Sequence, residues 1–402
     1  MLTGGALTVG GALAGAAAVG VVAAGRTDTD GGSGAAGSTV DLGTQTVAFH
    51  GPHQAGVETP AQAHAAFVAL DLKPGADRAS LGRLMRLLTD DAARLTGGVA
   101  PLADPQPELA TVPARLTVTF GFGPGLFDAA GRADRRPGSL RPLPPFTVDR
   151  LDPRWCGGDL LLQLCADDPV AVMHAQRMLV KDARAFATVR WVQRGFRHGR
   201  GMRDDGATQR NPLGQLDGTA NPPPGSPAFA GAVWIGDADG QPEWLRGGTT
   251  LAIRRIRAEL ETWDAVDIAG KEFAVGRRLS DGAPLTGRHE SDPPDFAATD
   301  AVGLPVISEF SHVARAHVAD ERLRIFRRPY TYDEPPAADG TADAGLIFAA
   351  YQRDIGEQFL PIQRRLAEAD LLNDWLTPIG SAVFAIPPGC APGGWIGQSL
   401  LG

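Results

Sequence analysis

The same order of strand-like and helix-like segments occurs twice along this chain, and this repeat constrains the fold more than any other feature. The apolar runs that predict strands in the first stretch are 63–72, 116–123, 159–165 and 187–193. Apolar residues spaced by three and four from Leu81 to Leu95 predict a helix after the first strand, and 168–186 predicts a second helix. The resulting order, β-α-β-β-α-β, is that of a ferredoxin-like unit.

The pattern recurs after Asp217. Strands are predicted at 249–256, 323–326, 346–351 and 381–386, with helices near Glu259 and over 354–369. Two such units predict an α+β duplication, with an N-terminal domain at 46–215, a C-terminal domain at 216–402, and the two sheets packed face to face. The Gly- and Pro-containing loop at 276–295 is longer than a compact domain usually needs, which indicates a pocket wall or an interface.

The amino terminus is uncharged as far as residue 25 and consists mainly of Gly, Ala, Val, Leu and Thr. Small residues at Val22, Ala23 and Ala24 suit a signal-peptidase site, so 1–25 is interpreted as a signal-like segment and 26–45 as a flexible linker. The composition resembles that of a twin-arginine (Tat) signal. The Arg pair of such signals is absent, so the segment is interpreted as a truncated Tat-type signal. It predicts export to the periplasm, the cell envelope or the medium. The alternatives are an uncleaved membrane anchor and an idle tail.

Charge and cysteine content exclude other classes of protein. The 402 residues carry a formal net charge of −8. A nucleic-acid-binding role would favour a basic balance, so no nucleic-acid partner is expected. Three cysteines cannot form a disulfide framework, and the spacing of Cys156 and Cys165 is not that of a zinc site.

One carboxylate stands out in the motif GQLDGTANP, where glycines flank Asp217 at 214 and 218. Glycine lets the backbone approach a ligand closely. A short Asp-Gly motif is also common in ordinary turns, so on its own this segment is better explained as a plain turn.

Two histidines and two arginines complete the set of candidates. His312 and His317 are five residues apart, which does not place them on one helical face, so a two-histidine metal site is not expected. A single histidine can ligate haem iron, although a structural histidine is the simpler reading. Arg327 and Arg328 end an apolar segment, and neighbouring residues of a strand point to opposite faces, so at most one of them points into a given pocket. A surface salt-bridge ladder is the alternative.

Asp217, His312 and Arg327 are together the residue types that a haem peroxidase needs. Histidine holds the iron, a carboxylate can move the peroxide proton from one oxygen to the other, and an arginine stabilises the charge that develops as the O–O bond breaks.

The chain also resembles the dye-decolorizing peroxidase (DyP) family, in particular its secreted bacterial deferrochelatase/peroxidase branch, from about residue 50 to the end. The motifs that carry the resemblance are HQAGVETP (53–60), GFGPGLF (121–127), GGDLLLQLCADDP (157–169), LGQLDGTANP (213–222), RRIRAELETWD (254–264), SHVARAH (311–317), FRRPYTYD (326–333), GLIFAAYQRD (345–354) and GGWIGQSLL (393–401). The implied fold is a duplicated, dimeric α/β-barrel-like arrangement of two ferredoxin-like units.

The resemblance implies roles for individual residues. His312 becomes the proximal haem ligand and therefore the metal ligand, with His317 as the fallback ligand and otherwise a haem contact. Asp217 becomes the distal acid–base and Arg327 the distal arginine. The haem-edge and distal-wall residues are Gly218, Thr219, Ala220 and Phe348.

The implied activity is that of an enzyme with one haem b per chain, which uses H₂O₂ to form an oxoferryl intermediate that oxidises dyes, phenols or metal ions. Electrons would reach the haem through side chains; the candidates are Trp191, Trp234, Trp244, Trp263, Trp375, Trp395, Tyr330, Tyr332 and Tyr351. A homodimer or larger homo-oligomer and a link to iron-import proteins are expected.

Two other hypotheses stay open. The chain could be a deferrochelatase or iron-handling haem protein that releases iron from haem or oxidises Fe²⁺ for an importer. It could also be a binding module without haem, in which Asp217 and His312 are structural.

Overall fold

The computed structural model describes residues 41–204, 206–336 and 338–402. Its strands are β1 (His64–Leu72), β2 (Thr117–Phe122), β3 (Leu160–Ala166), β4 (Ala187–Phe196), β5 (Thr249–Ala258), β6 (Phe326–Arg327), β7 (Tyr330–Glu334), β8 (Asp343–Gln352) and β9 (Leu376–Ile386). Its α-helices are α1 (Arg78–Thr96), α2 (Pro124–Ala129), α3 (Pro169–Ala183), α4 (Pro227–Val233), α5 (Leu260–Asp264), α6 (Ile268–Val275), α7 (His312–Ala316), α8 (Leu360–Ala369) and α9 (Gln398–Leu401).

All nine strands belong to one antiparallel sheet, in the order β5-β9-β2-β3-β1-β4-β7-β8-β6. Strand β5 also pairs with β8 over eight residues, which closes the sheet into a barrel. A closed sheet has its strand edges paired, so little backbone is left to pair with another chain.

The barrel is built from two halves of the same design. In the first half the strands lie in the order β2-β3-β1-β4, and in the second β7-β8-β5-β9, which is the same arrangement with β7 as the second strand of its unit. The prediction of an α+β ferredoxin-like duplication is confirmed. The expected face-to-face packing is wrong, because the two sheets join edge to edge through short pairings at Phe122↔Ala385 and Phe196↔Thr331.

The strands alternate between two cores, as their residue pattern requires. On β1, Ala66, Val68 and Leu70 face an outer core shared with α1 and α3, whereas Phe67 and Ala69 face an inner core that fills the barrel. Helix α1 begins at a reciprocal cap between Asp77 and Ser80, each of which accepts a hydrogen bond from the backbone of the other. The leucine spacing that predicted this helix is its buried face.

Some predicted elements differ from those observed. The predicted strand at 323–326 is wrong over most of its length, because Glu321–Leu323 form a 3₁₀ turn and only Phe326 joins β6. The predicted helix over 354–369 begins with a π-helical turn, Ile355–Phe359, before α8. The short helices α2, α4 and α7 and the strand β7 were not predicted, since periodicity is hard to recognise over so few residues.

The predicted signal-like segment, 1–25, lies outside the described residues, as does most of the predicted linker. Among the helices of the described part of the chain, none combines the length and the apolar character needed to cross a membrane. Cys156, Cys165 and Cys390, all within that part, are free thiols.

Candidate active site

Asp217 stands at the base of a small hairpin that the sequence specifies locally. Gly214 adopts a left-handed conformation (φ 80°) in its turn, and the Asn211 N–H donates to the carbonyl of Gln215. The Asp217 N–H then donates to the carbonyl of Gln209 at 2.8 Å. The backbone of Asp217 is therefore held in a hydrogen-bonded hairpin rather than in a free loop.

Arg327 ends the two-residue strand β6 and pairs with Ala350 of β8. Its backbone is held by the side chain of Asn221, which accepts from the Arg327 N–H at 3.0 Å and donates to the Arg327 carbonyl at 2.7 Å. Asn221 lies only four residues after Asp217. The same loop thus carries the carboxylate and holds the backbone of the arginine.

The two side chains meet: Arg327 Nη1 lies 2.7 Å from Asp217 Oδ1. The Asp217 side chain is 9% exposed and that of Arg327 22% exposed, so the pair is shielded but still reachable from solvent. The neighbouring Arg328 points the other way, into the barrel, and its guanidinium donates to the carbonyl of Thr59 and to Gln62. The expectation that only one of the two arginines enters a given pocket is confirmed, and the surface-ladder alternative is wrong.

His312 is the first residue of α7, and Asp370 orients its ring. The imidazole Nδ1 lies 2.6 Å from Asp370 Oδ2, and the carboxylate, 4% exposed, also accepts from the Leu372 N–H at 2.9 Å. With Nδ1 as the donor to Asp370, Nε2 is the nitrogen left to bind a metal. A carboxylate behind the ring is the usual companion of a metal-binding histidine.

Helices α7 and α8 are fastened to each other, which keeps His312 next to Asp370. Arg315 Nε donates to the carbonyl of Arg365, and Arg365 Nε donates to the carbonyl of Arg315, both at 3.0 Å. The Leu371 N–H donates to the carbonyl of Phe310 at 3.0 Å, just before α7. These bonds fix the relative position of the histidine and its carboxylate before any ligand binds.

A glycine lets α7 approach the end of α6. Gly276, at φ 85°, ends α6, and a Cβ there would lie 2.4 Å from Val313 Cγ1 and 2.9 Å from Ser311 Oγ. Only glycine fits both the left-handed backbone and this close packing. The position of His312 therefore depends on a residue 36 positions earlier (312 − 276).

Charges at the site act on one another. Partial burial disfavours the protonated form of His312, but the Asp370 carboxylate outweighs it, so the pKa of the imidazole is raised. Arg327 and Asp217 also contribute to that shift, in opposite directions, which places the three predicted residues in one electrostatic environment. Burial lowers the pKa of Arg277, and the cation of Arg327 lowers it further.

The other predicted site residues are distributed around this centre. Gly218 has φ 140°, and Thr219 donates a hydrogen bond to Glu290, whereas Ala220 is exposed. Phe348 is two residues from Ala350 on β8, so it lies on the sheet face that carries Arg327. His317 ends α7 on the surface, five residues beyond His312, with its ring 5.0 Å from that of Phe296.

Sequence reasoning missed Asp370, Asn221 and Glu290, which hydrogen-bond to the candidate residues or to their segments. Asp370 looks like an ordinary capping residue after an amphipathic helix, and it does accept from the Leu372 N–H as a cap. Asn221 lies in the motif GQLDGTANP, but the sequence indicates only that the segment ends there. Glu290 carried a weak signal, because it lies in the long loop predicted to be a pocket wall.

Comparison with known protein families gives matches to both halves of the chain. The model described as Dyp-type peroxidase, N-terminal, matches residues 54–197, and the model described as Dyp-type peroxidase, C-terminal, matches residues 208–391. Asp217, His312 and Arg327 all lie within the second match.

Similar proteins and structures cover most of the chain. A dye-decolorizing peroxidase from Thermobifida fusca (strain YX) is 42% identical over 359 residues, 87% of this chain and 83% of that protein. A deferrochelatase from Escherichia coli (strain K12) is 36% identical over 370 residues, 88% of this chain and 86% of that protein.

Among solved structures, a DyP-type peroxidase from Cellulomonas bogoriensis superposes with a TM-score of 0.86 at 51% identity, covering 90% of this chain and 99% of that one. Ferric DtpA from Streptomyces lividans superposes with a TM-score of 0.85 at 40% identity, covering 90% and 98%. The similarity therefore extends over both halves of the barrel and includes the segments that build the site.

Proposed function

The chain belongs to the Dyp-type peroxidase family and is a haem-dependent peroxidase that uses H₂O₂ to oxidise a reductant, and we propose that Asp217, Arg327 and His312 are the residues that carry this activity. The observation that supports the assignment most strongly is the 2.7 Å contact between Arg327 and Asp217. This contact places a proton acceptor next to a fixed cation at a largely buried position. Cleavage of a peroxide bond requires both groups.

The residues present suit a haem group. His312 offers an imidazole nitrogen, its ring is oriented by a buried carboxylate, and histidine with such a partner is a common ligand of iron. Gly218 has no side chain, and the space where its Cβ would lie is open as far as Thr208 Cγ2 at 3.6 Å. We propose that His312 holds one haem b per chain, and that Gly218, Thr219, Ala220 and Phe348 line it. Bound haem supplies the redox chemistry.

In this proposal Asp217 moves the proton. Its carboxylate accepts the proton from one peroxide oxygen and returns it to the other, so that water can leave. The hairpin fixes the backbone at Asp217, and the contact with Arg327 orients the carboxylate. Low exposure keeps bulk water from competing for the proton.

Arg327 orients the peroxide and stabilises negative charge as the O–O bond breaks. A guanidinium is charged at any working pH and needs no proton transfer of its own. The hydrogen bonds between Asn221 and the Arg327 backbone fix it before the substrate arrives, so little reorganisation is needed during the reaction.

The assignment is tested by visible absorption spectra of the haem-loaded protein before and after one equivalent of H₂O₂. We expect His312→Ala to lose the Soret band of a histidine-ligated haem and His317→Ala, directly after the same helix, to keep it. We expect Asp217→Asn to keep the band but to react with peroxide about 10²–10⁴-fold more slowly. Asp333→Asn, an exposed carboxylate at the end of β7, is the matched control and should react like the wild type.

Retention of the histidine-ligated band in His312→Ala and its loss in His317→Ala would move the ligand to His317. An unchanged peroxide rate in Asp217→Asn would remove Asp217 from the reaction. A wild-type protein that takes up no haem would leave the third hypothesis, a binding module in which both residues are structural.

A second candidate function is release of iron from haem or oxidation of Fe²⁺ for an importer, since a deferrochelatase is 36% identical over most of the chain. Protoporphyrin fluorescence after incubation with haem separates the two. A porphyrin product with released iron would support iron handling, whereas intact haem and fast oxidation of dyes, phenols or metal ions would support peroxidase activity alone.

We also propose that the protein is exported by the Tat route to the periplasm, the cell envelope or the medium, and that it forms a homodimer or a larger homo-oligomer. Fractionation of cells that express the full chain, with and without a functional Tat system, tests the first proposal. Light scattering of the purified protein tests the second.

A further inference from the structure

One carboxylate outside the proposed catalytic set fastens the segment that carries Asp217. Glu290 Oε1 accepts two hydroxyl hydrogen bonds, from Thr208 Oγ1 at 2.5 Å and from Thr219 Oγ1 at 2.7 Å. The two threonines lie on opposite sides of Asp217 in sequence. A single oxygen atom therefore joins the start of the hairpin to the residues that follow its end.

Each of these bonds acts close to Asp217. Thr208 precedes Gln209, whose carbonyl accepts the Asp217 N–H at 2.8 Å. Thr219 follows Asp217 by two residues, with only Gly218 between them. Because glycine has a wide range of accessible backbone conformations, Gly218 cannot by itself hold the orientation of Asp217. The bond from Thr219 to Glu290 supplies that restraint.

Glu290 is itself held in place. Arg277 Nη1 donates to the Glu290 carbonyl at 2.8 Å and to the Gly282 carbonyl at 2.7 Å. The loop also packs next to the catalytic segment, since a Cβ at Gly282 would lie 2.5 Å from Leu216 Cδ1. The loop at 276–295 is thus a fixed support against which the Asp217 hairpin rests.

We propose that Glu290 is a positioning residue that keeps the Asp217 carboxylate aligned with Arg327 through the two threonine hydroxyls. The inference rests on the proposed role of Asp217 as the proton-transfer group. Loss of the Glu290 carboxylate frees both ends of the segment, so the 2.7 Å contact between Asp217 and Arg327 is populated less of the time. Proton transfer then slows, while haem binding through His312 is unaffected.

The test compares Glu290→Ala with Glu290→Gln in the haem-loaded full chain. Glutamine keeps an oxygen that can accept the same two hydroxyl bonds, so it is the conservative variant. Glu309→Ala, an exposed glutamate near α7, is the matched control. The readouts are the Soret band, the second-order rate of reaction with H₂O₂, and hydrogen exchange of the peptide that spans 208–221.

We expect Glu290→Ala to keep the Soret band and to react with peroxide about 10–100-fold more slowly. The Asp217 amide should exchange its hydrogen at least tenfold faster, because the hairpin opens locally more often. Tenfold faster exchange corresponds to about 1.4 kcal/mol less free energy of local opening. Glu290→Gln should stay close to the wild type in all three measurements. Thr219→Val, which removes one hydroxyl at constant volume, should give an intermediate loss, and adding it to Glu290→Ala should cause no further loss.

Wild-type rates and exchange in Glu290→Ala would overturn the proposal. So would a Glu290→Gln variant as impaired as Glu290→Ala, because the negative charge rather than the hydroxyl bonds would then matter. If Glu290→Ala does not fold, Thr208→Val and Thr219→Val decide the question in the same way.

Failure of the proposed function gives a different result. If Asp217→Asn reacts with peroxide as fast as the wild type, Asp217 is not the proton-transfer group. Accelerated exchange at 208–221 in Glu290→Ala would then still support the restraint by Glu290, and unchanged exchange would overturn it.

Discussion

Arg327 Nη1 lies 2.7 Å from Asp217 Oδ1, although 110 residues separate the two in sequence. The contact joins the β6 strand of the second half to the hairpin that precedes that half. In the loop that contains Asp217, the Asn221 side chain also makes two hydrogen bonds to the Arg327 backbone. One short segment therefore positions both members of the pair.

We expect Arg327→Leu to lower the second-order rate of reaction with H₂O₂ by about 10²-fold, because the developing negative charge loses its fixed cation. Arg327→Lys should recover part of the rate, since lysine keeps the charge but loses the planar, multiple-donor geometry. Stopped-flow absorbance of the haem-loaded protein measures both variants. Arg324→Leu, a nearby half-exposed arginine, serves as the control. A wild-type rate in Arg327→Leu would contradict the role.

Asp370→Asn should weaken haem retention by about 10–100-fold, because the imidazole of His312 loses the carboxylate that orients it. The rate of haem transfer to an excess of apomyoglobin measures retention. Asp374→Asn changes an exposed carboxylate four residues away and should behave like the wild type. Equal transfer rates in the two variants would show that Asp370 only caps the 3₁₀ turn that follows it.

Two glycines with the same backbone conformation separate the effect of strain from that of packing. Gly276 and Gly303 both have φ 85°; a Cβ at Gly276 would collide with Val313, whereas no described atom lies within 4 Å of one at Gly303. Alanine at Gly303 should cost about 1 kcal/mol of unfolding free energy. Alanine at Gly276 should cost about 1–3 kcal/mol more, because α7 must move. Urea denaturation measures both; equal losses would mean that the close approach of α6 and α7 is unimportant for stability.

Asp91 on α1 predicts a pH-dependent stability. The side chain is buried, and burial together with the neighbouring Asp182 and Asp90 raises its pKa to about 7, against an opposing effect of Lys181. A carboxyl group with a raised pKa in the folded state contributes its full stability below the unfolded pKa, near 4, and loses it as the pH rises to about 7. The folded protein should therefore be less stable at pH 8 than at pH 5 on account of this group.

Asp91→Asn removes that charge, so it should raise the unfolding free energy at pH 8 by on the order of 2 kcal/mol more than at pH 5. Denaturant titrations at the two values measure the difference. Asp264→Asn, at an exposed position of α5, should show no such dependence. A gain that is the same at both pH values would show that Asp91 is already ionised in the folded protein at pH 5, so that burial does not raise its pKa.

A chain of aromatic side chains begins at the residue before Arg327, on the opposite face of β6, and extends to half-buried positions. Phe326, next to Arg327, contacts Phe229 with ring centroids 4.9 Å apart; Phe229 lies 5.9 Å from Trp234, which stacks on His53 at 3.9 Å. Trp234 is half-buried and is the oxidisable member of this chain.

Trp234→Phe should therefore slow the oxidation of bulky dyes several-fold and leave the reaction with H₂O₂ unchanged, since only electron delivery is affected. Steady-state dye oxidation and stopped-flow peroxide kinetics separate the two steps. Trp375→Phe, a half-buried tryptophan that packs on Trp263, is the matched comparison. Equal dye turnover in both variants would contradict a special role for Trp234.

Much of the fold was predictable because its signals are local. Alternating apolar residues in the strands and three- and four-residue spacing in α1 depend only on near neighbours, and they predicted the duplicated unit. The Asp217 hairpin is equally local, since Gly214 and Asn211 form its turn within a few residues. The short strand β6 was displaced in the prediction because its pairing with β8, not its own sequence, defines it.

The sequence by itself determined the two ferredoxin-like units and the residue types able to carry peroxide chemistry, because periodicity and composition are properties of neighbouring residues. Tertiary structure decided how the units join edge to edge and which residues support the candidates. Asp370 meets His312 across 58 residues, and Glu290 meets Thr208 across 82. Such contacts result from packing of distant segments, and a single sequence carries no local pattern for them.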